Sequence, residues 1–211
     1  MNMRFTALIG VASLLIVSAC ASDGATPPPA VIARSNVQAP SDGRTIHRVV
    51  VPPFDDLSGL SSESEGLRSA FVRALAQRQA FEVVPLGATQ VRDVMPVGVM
   101  REGVVPREAL IAIARRYRAD GVLFATVTHW RPFEPMTLGM RVDLVSSSTG
   151  EVVWSAHGLY DSARHDVQQD VRNWHETGQA VTTSLEGWRV ALLSPTRFAA
   201  YVCDRLVATM P

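Results

Sequence analysis

Two adjacent carboxylates, Asp55 and Asp56, follow a run of β-branched residues that ends in two prolines, within VVVPPFDDLSGL at residues 49–60. Carboxylates just beyond a strand act as general acids, as bases or as metal ligands when other side chains join them. The acidic candidates in later loops are Asp93, Glu102 and Glu134. None has metal-ligand spacing, and aspartates commonly turn a chain by bonding to nearby backbone. The pair therefore predicts a structural corner, and a hydrolase that uses Asp55 or Asp56 is the alternative.

The five histidines are scattered along the chain: His47, His129, His157, His165 and His175. His165 and His175 are ten residues apart, unlike the i, i+4 pair of a helical zinc site. The sequence contains no GxSxG nucleophile elbow and no GxGxxG or GxxxxGK[ST] phosphate loop. We therefore predict no metal, no cofactor and no enzymatic activity.

Aromatic residues supply another kind of candidate site. Trp130, Arg131 and Phe133 lie together at the end of a predicted strand. Trp, Phe and Arg are enriched in interfaces, so this group is a candidate partner-binding loop, and burial of Trp130 under the C-terminal helices is the alternative. The other tryptophans are expected in packing roles, with Trp154 in the core and Trp174 and Trp188 docking the C-terminal region.

The N-terminus has the features of a lipoprotein signal. Arg4 precedes an apolar run that ends in Val-Ser-Ala-Cys at Cys20, and this run is shorter than the roughly 18 to 20 residues of a transmembrane helix. Small residues before a lone cysteine resemble the bacterial lipobox, whose cysteine carries lipid. This resemblance implies a signal peptide over residues 1–19 and a lipid anchor at Cys20, and Ala21 implies sorting to the outer membrane, facing the periplasm. The alternative is an ordinary secretory signal with an incidental cysteine.

Once Cys20 carries lipid, Cys203 has no cysteine partner, and its position in an apolar helix face predicts a small buried side chain. Residues 20–44 are rich in Pro, Ser, Ala and Gly without periodicity, which predicts a flexible tether. Equal numbers of basic and acidic residues, 20 each, exclude a bulk attraction to nucleic acid.

The remaining periodicity predicts one layered α/β (α+β) domain with a mixed sheet over residues 45–160 and a helical C-terminal extension over 161–211. Strands are expected at 46–51, 81–85, 121–130 and 138–145, with a return strand from 151. Helices are expected at 62–79, at 88–95, from 106, around 167–174 and from 194. Loops at 95–106 and 131–135 connect these elements.

Four segments in order are similar to a known lipoprotein superfamily: RVVVPPFDDLSG at 48–59, FEVV at 81–84, ADGVL at 119–123, and LVSSSTGEVVWS at 144–155. They resemble the curli-secretion-channel (CsgG) lipoproteins, the LpoB-like activators of penicillin-binding proteins and the N-terminal domain of TolB-like proteins. The resemblance covers about residues 45 to 160. It implies that the Pro-Phe-Asp segment is a structural corner and that members bind partners, scaffold or form rings.

The sequence thus predicts a non-enzymatic, outer-membrane-anchored periplasmic lipoprotein that binds an envelope protein. That partner belongs to a peptidoglycan synthase or to a machine that secretes or exports a surface polymer. The alternative is a homo-oligomeric ring that forms a collar of an export channel. The sequence leaves open whether the loops at 95–106 and 131–135 form the binding surface.

Overall fold

A computed structural model describes residues 33–60, 63–94, 106–177 and 187–211. Its strands are β1 Ala33–Val37, β2 Arg48–Val51, β3 Asp55–Asp56, β4 Glu82–Pro85, β5 Gly121–Arg131, β6 Thr137–Ser146 and β7 Val152–Asp161. Its helices are α1 Ser64–Arg78, α2 Ala88–Arg92, α3 Arg107–Tyr117, α4 His165–Thr177, α5 Gly187–Leu193 and α6 Pro195–Val207. No helix in these ranges is long and apolar enough to cross a membrane.

The strands form one mixed sheet in the order β1-β7-β6-β5-β2-β4, and the short β3 pairs with β5. β2 is parallel to both β4 and β5, because a helical connection separates it from each of them in the chain. β5, β6, β7 and β1 are antiparallel neighbours. The predicted α/β class with a mixed sheet is therefore confirmed.

The predicted hairpin pairs β6 with β7 over most of their length. β6 and β7 are ten residues each, and Leu138 lies opposite Tyr160 while Leu144 lies opposite Trp154. All four side chains are buried on one face, as the period-two pattern of the sequence predicts. Trp154 is 1% exposed, which confirms its place in the core.

Helices cover the two faces of the sheet unequally. The larger core lies on the face packed by α1, α4, α5 and α6, whereas α3 covers the smaller cluster around Val50, Ile113 and Val122. Phe198 and Tyr201 of α6 have no exposed surface, and α6 packs along α1. The described residues after β7 are thus mainly helical, as predicted, and their helices pack against the core of the sheet.

β1 lies inside the range that the sequence assigns to a flexible tether. Ala33–Val37 pair with β7, from Ala33 opposite Gly158 to Val37 opposite Trp154. The tether prediction is wrong for these five residues, because backbone hydrogen bonds to the open edge of β7 order a segment that has little apolar surface of its own. Residues 20–32 lie outside the described ranges, so the tether there stays a prediction.

Candidate interaction surface

The carboxyl ends of β2 and β5 lie at the same end of the sheet because the two strands are parallel. The chain that leaves β2 stays there: β3 pairs with β5, and the backbone N–H of Leu57 donates to the carbonyl oxygen of Val127 at 2.9 Å. Leu57 and Leu60 in this segment are 68% and 37% exposed. Phe133, just beyond β5, is 67% exposed.

α6 begins at the same end. Its first residues, Pro195 and Arg197, line a cavity together with Trp130 at the end of β5 and with Gly66 in the first turn of α1. Leu193 precedes this start and is 64% exposed. We call Leu57, Leu60, Phe133 and Leu193 the carboxyl-end apolar surface. Exposed apolar side chains that gather at one end of a molecule are typical of a protein interface.

The three predicted partner-binding residues differ in how exposed they are. Trp130 is 6% exposed, so the prediction that it contacts a partner in an exposed loop is wrong, and the alternative of burial is confirmed. The cause is the register of β5, which points Trp130 to the same face as Leu138 and into the main core. Arg131 is half-buried, with its guanidinium donating to the carbonyl oxygen of Pro135 at 2.7 Å. Phe133 remains accessible.

Asp55 and Asp56 form β3, beside Thr126 and Val127 of β5. Asp56 Oδ1 accepts two hydrogen bonds from Ser58, from its backbone N–H at 2.7 Å and from its hydroxyl at 2.6 Å. The Asp56 carboxylate thus forms its hydrogen bonds within a local turn of the chain. The geometry matches the predicted structural corner.

The other polar candidates stay dispersed. Asp93 forms an ion pair with Arg116 at 3.5 Å, and Glu102 lies outside the described residues. His165 and Gln169 are neighbours on α4, with their Nε2 atoms 2.9 Å apart. Across the described ranges, no three His, Cys, Asp or Glu side chains come close enough to hold a metal ion.

A polar cluster joins α4 to α6. Asp170 Oδ2 accepts from the Tyr201 hydroxyl at 2.7 Å and from Arg205 Nε at 2.9 Å, and Trp174 Nε1 donates to Asp204 at 2.8 Å. Burial raises the pKa of Tyr201, and its hydrogen bond to Asp170 raises it further. The cluster therefore fixes the two helices to each other. Trp174 also packs against the main core, in agreement with its predicted docking role.

Of the two cysteines, the structure describes Cys203. Cys203 is fully buried in α6, and burial raises the pKa of its thiol to about 12. A thiol in this state is protonated and unreactive at neutral pH, as expected of a small core side chain. Cys20 lies outside the described residues, so its lipidation stays a prediction.

Sequence reasoning missed the two leucines that follow Asp56. Their exposure is predictable from the sequence, because Leu57 and Leu60 flank the turn-forming Ser58 and Gly59. An apolar side chain in such a turn belongs to no strand or helix that would bury it. Leu193 had no such signal, since it continues the apolar pattern of α5.

No protein-family model and no curated protein sequence matches this chain. Its fold is similar to that of the PelC dodecamer subunit from Paraburkholderia phytofirmans, with 16% identity over 83% of this chain and 94% of that one and a TM-score of 0.50. Lipoprotein GNA1162 from Neisseria meningitidis matches with 20% identity, 54% and 79% coverage and a TM-score of 0.42. The LpoB C-terminal domain from Escherichia coli matches with 22% identity, 56% and 86% coverage and a TM-score of 0.37.

At these identities the likeness concerns the fold. The chain has the mixed α/β architecture of the PelC subunit, and lipoproteins are among the solved structures that it resembles. LpoB, which the sequence resemblance named, is one of the matching structures. Likeness to the curli-secretion channel and to TolB-like proteins stays a prediction.

Proposed function

We propose that this protein is a non-enzymatic lipoprotein of the bacterial outer membrane that binds a protein partner in the periplasm through the carboxyl-end apolar surface. The observation that carries the proposal is the exposure of Leu57, Phe133 and Leu193 at one end of a well-packed domain. The local bonding of Asp56 to Ser58 supports a structural role for the acidic pair instead of a hydrolytic one.

The path of the chain relates this surface to the proposed anchor. β1 begins at Ala33, 13 residues after Cys20, and it starts opposite Gly158 on the carboxyl-end half of the sheet. A 13-residue segment spans at most about 45 Å when extended. The lipid at Cys20 therefore holds the carboxyl-end apolar surface near the membrane and raises its effective concentration for a membrane-associated partner.

The partner that fits this arrangement is part of an envelope assembly machine, either a peptidoglycan synthase or an apparatus that secretes or exports a surface polymer. The apolar side chains supply contact area, while the anchor supplies reach and proximity. The domain acts by regulated contact, without chemistry of its own.

Site-specific photo-crosslinking in cells tests the proposed surface. A photoreactive phenylalanine analogue at Phe133 is expected to capture a discrete protein, whereas the same analogue at Val152 is the matched control. Val152 is also exposed, at 43%, but it begins β7 and lies at the opposite end of the sheet. Equal capture at both positions would contradict the proposed surface, and continued membrane fractionation of a Cys20→Ser variant would contradict the proposed anchor.

A ring of identical subunits is a second candidate, favoured by the dodecameric state of the PelC protein whose fold this chain shares. In this case the carboxyl-end apolar surface contacts another copy of the chain. Light scattering coupled to size exclusion on residues 21–211 distinguishes the two candidates. A mass many times that of one chain supports the ring, and a monomer mass supports a partner of different sequence.

A further inference from the structure

β1 lies at one edge of the sheet, with β7 on one side of it and no described strand on the other. Just after β1, the backbone N–H of Gln38 donates to the carbonyl oxygen of Val153 at 2.8 Å. Bonded residues alternate in an antiparallel ladder, so Asn36 and Arg34 also direct their backbone groups towards β7. The backbone N–H and C=O groups of the other three residues of β1 therefore point away from the sheet: those of Ala33, Ser35 and Val37.

The two edges of the sheet differ in how well they are protected. An edge strand with open backbone groups accepts another strand, and natural sheets usually prevent this with proline, charge or a bulge. In β4, at the other edge, the N–H groups of Glu82 and Leu86 are used by the segment that contains β2, and Pro85 has no N–H to offer. β1 contains no proline, and its five residues pair with β7 in unbroken register. β1 is therefore the open edge.

The sequence of β1, Ala-Arg-Ser-Asn-Val, suits pairing with a second copy of itself. In an antiparallel pair centred on Ser35, all five residues find partners. Ser35 then faces Ser35 of the second copy, while Ala33 faces Val37 and Arg34 faces Asn36. The outward backbone groups meet in the bonded positions of the new ladder, which gives about six hydrogen bonds.

The side chains fit the same pairing. Val37 is 49% exposed and lies opposite Trp154, so it is on the face of the sheet that carries the main core. In the pair it contacts Ala33 of the second copy, a residue that packs against the same core. On the other face Arg34 meets the neutral Asn36. Pairing thus covers an exposed apolar side chain without placing like charges directly opposite each other.

We propose that the chain forms a two-fold symmetric dimer in which β1 of each copy pairs antiparallel with β1 of the other and joins the two sheets. A surface that is complementary to itself produces a two-fold dimer, whereas a ring requires two different surfaces on each copy. The four residues of the carboxyl-end apolar surface lie outside β1. The dimer therefore leaves that surface free for a partner.

The size of the contact indicates a weak dimer, because small interfaces are typical of reversible association. The proposed lipid anchor favours it by concentrating the chains on one membrane. The starts of β1 in the two copies are about 14 Å apart, and the 13 residues from Cys20 to Ala33 let both lipids enter the same membrane. This assistance rests on the proposed function, whereas the pairing itself does not.

Disulfide trapping on the full chain in its membrane tests the pairing. Ser35→Cys places two cysteines opposite each other with Cα atoms about 5.5 Å apart, a distance that a disulfide spans. Mild oxidation is expected to give about fivefold more linked dimer with this variant than with Val37→Cys, the matched control. Val37 shares the strand, face and edge, but its two copies are about 14 Å apart, beyond the reach of a disulfide. Wild type gives the background, and Cys203 does not compete because it is fully buried.

A proline substitution separates dimer formation from the docking of β1. The N–H of Ser35 points outward, so Ser35→Pro removes a bond to the second copy and none to β7. It is expected to weaken dimerisation by about tenfold or more, in sedimentation equilibrium of the full chain in density-matched detergent, with an unchanged Tm. Ser35→Thr keeps the N–H group and is expected to dimerise as the wild type does.

Equal linking of Ser35→Cys and Val37→Cys, or equal association of Ser35→Pro and Ser35→Thr, would overturn the proposal. Linkage of Ser35→Cys to a protein of different sequence would also overturn it, because the edge would then bind that protein. All of these variants keep Phe133 and Cys20. Failure of the proposed function is therefore recognised separately, by the crosslinks at Phe133 and the Cys20→Ser fractionation.

Discussion

Arg78 donates hydrogen bonds from its two terminal nitrogens to the carbonyl oxygens of Val207 and Met210, each at 3.0 Å. The contact joins the last residue of α1 to the end of α6 across 129 and 132 residues of sequence. It satisfies carbonyl groups near a helix C-terminus and places a cation where the helix dipole is negative. Because the two helices are parallel, this bond also determines that both N-termini meet beside Trp130.

We predict that Arg78→Gln lowers the free energy of unfolding by about 1–2 kcal/mol, because two charged hydrogen bonds to α6 are lost. Urea unfolding followed by circular dichroism measures the change. Arg172→Gln is the control, since Arg172 forms an exposed i, i+4 pair with Glu176 on α4, and such pairs contribute about 0.3–0.5 kcal/mol. Equal losses in the two variants would contradict a special role for Arg78.

Gly139 lies where β6 passes an irregularity in β5. A Cβ atom at this position would lie 2.6 Å from Thr128 Oγ1 and 3.1 Å from a methyl group of Leu159. We predict that Gly139→Ala destabilises the protein by about 1–3 kcal/mol through overpacking of the hairpin. Thermal unfolding is the measurement.

Gly66 provides the matched control for this substitution. It lies in the first turn of α1, and a Cβ atom there would meet nothing within 4 Å. Gly66→Ala is expected to raise stability by about 0.5–1 kcal/mol, since alanine favours the helix and loses less conformational freedom on folding. The two substitutions are thus expected to change stability in opposite directions. Destabilisation by both would contradict the packing described for Gly139.

Two deletions test the ordering of β1. Removal of residues 21–32 is expected to leave the unfolding free energy unchanged, whereas removal of 21–37 lowers it and exposes the edge of β7. The second variant is also expected to self-associate at high concentration, since an open edge pairs with other strands. Chemical unfolding and analytical ultracentrifugation measure these effects. Identical stability of the two variants would show that β1 contributes nothing.

Much of the sheet was predictable because its signals are local. The alternation from Leu138 to Leu144 predicts the face of β6 that is buried, and the structure confirms it. The Ala-Asp-Gly junction noted in the resemblance has a clear function, since Asp120 Oδ2 accepts from the backbone N–H groups of His47 and Arg48 at 3.0 Å each. This carboxylate helps to set the register of β2 against β5.

The rest depends on contacts that have no local pattern. β1 has a polar sequence, and it becomes a strand because β7 offers an unpaired edge. Trp130 is buried because α1 and α6 cover that face of β5, which a window around residue 130 does not reveal. The cavity beside Trp130 likewise joins residues from α1, β5 and α6, so its lining comes together only in the folded chain.

The buried thiol of Cys203 predicts how stability depends on alkaline pH. Burial raises its pKa from the ordinary 9.0 to about 12, so above pH 9 the unfolded chain loses this proton while the folded chain keeps it. Stability is therefore retained below pH 9 and declines as the pH rises towards 12. The buried tyrosines Tyr160 and Tyr201 add a loss of the same sign above pH 10, because burial raises the pKa of each hydroxyl.

Cys203→Ala is expected to remove the part of this decline that begins at pH 9 and to leave the tyrosine part. At pH 7 the variant loses about 1 kcal/mol, because a small buried group is deleted from the core. Urea unfolding of wild type and variant at pH 7, 9 and 10 shows the difference as a shallower slope for the variant. Parallel slopes over this range would mean that the thiol titrates equally in the folded and unfolded chain, contrary to its complete burial against α1.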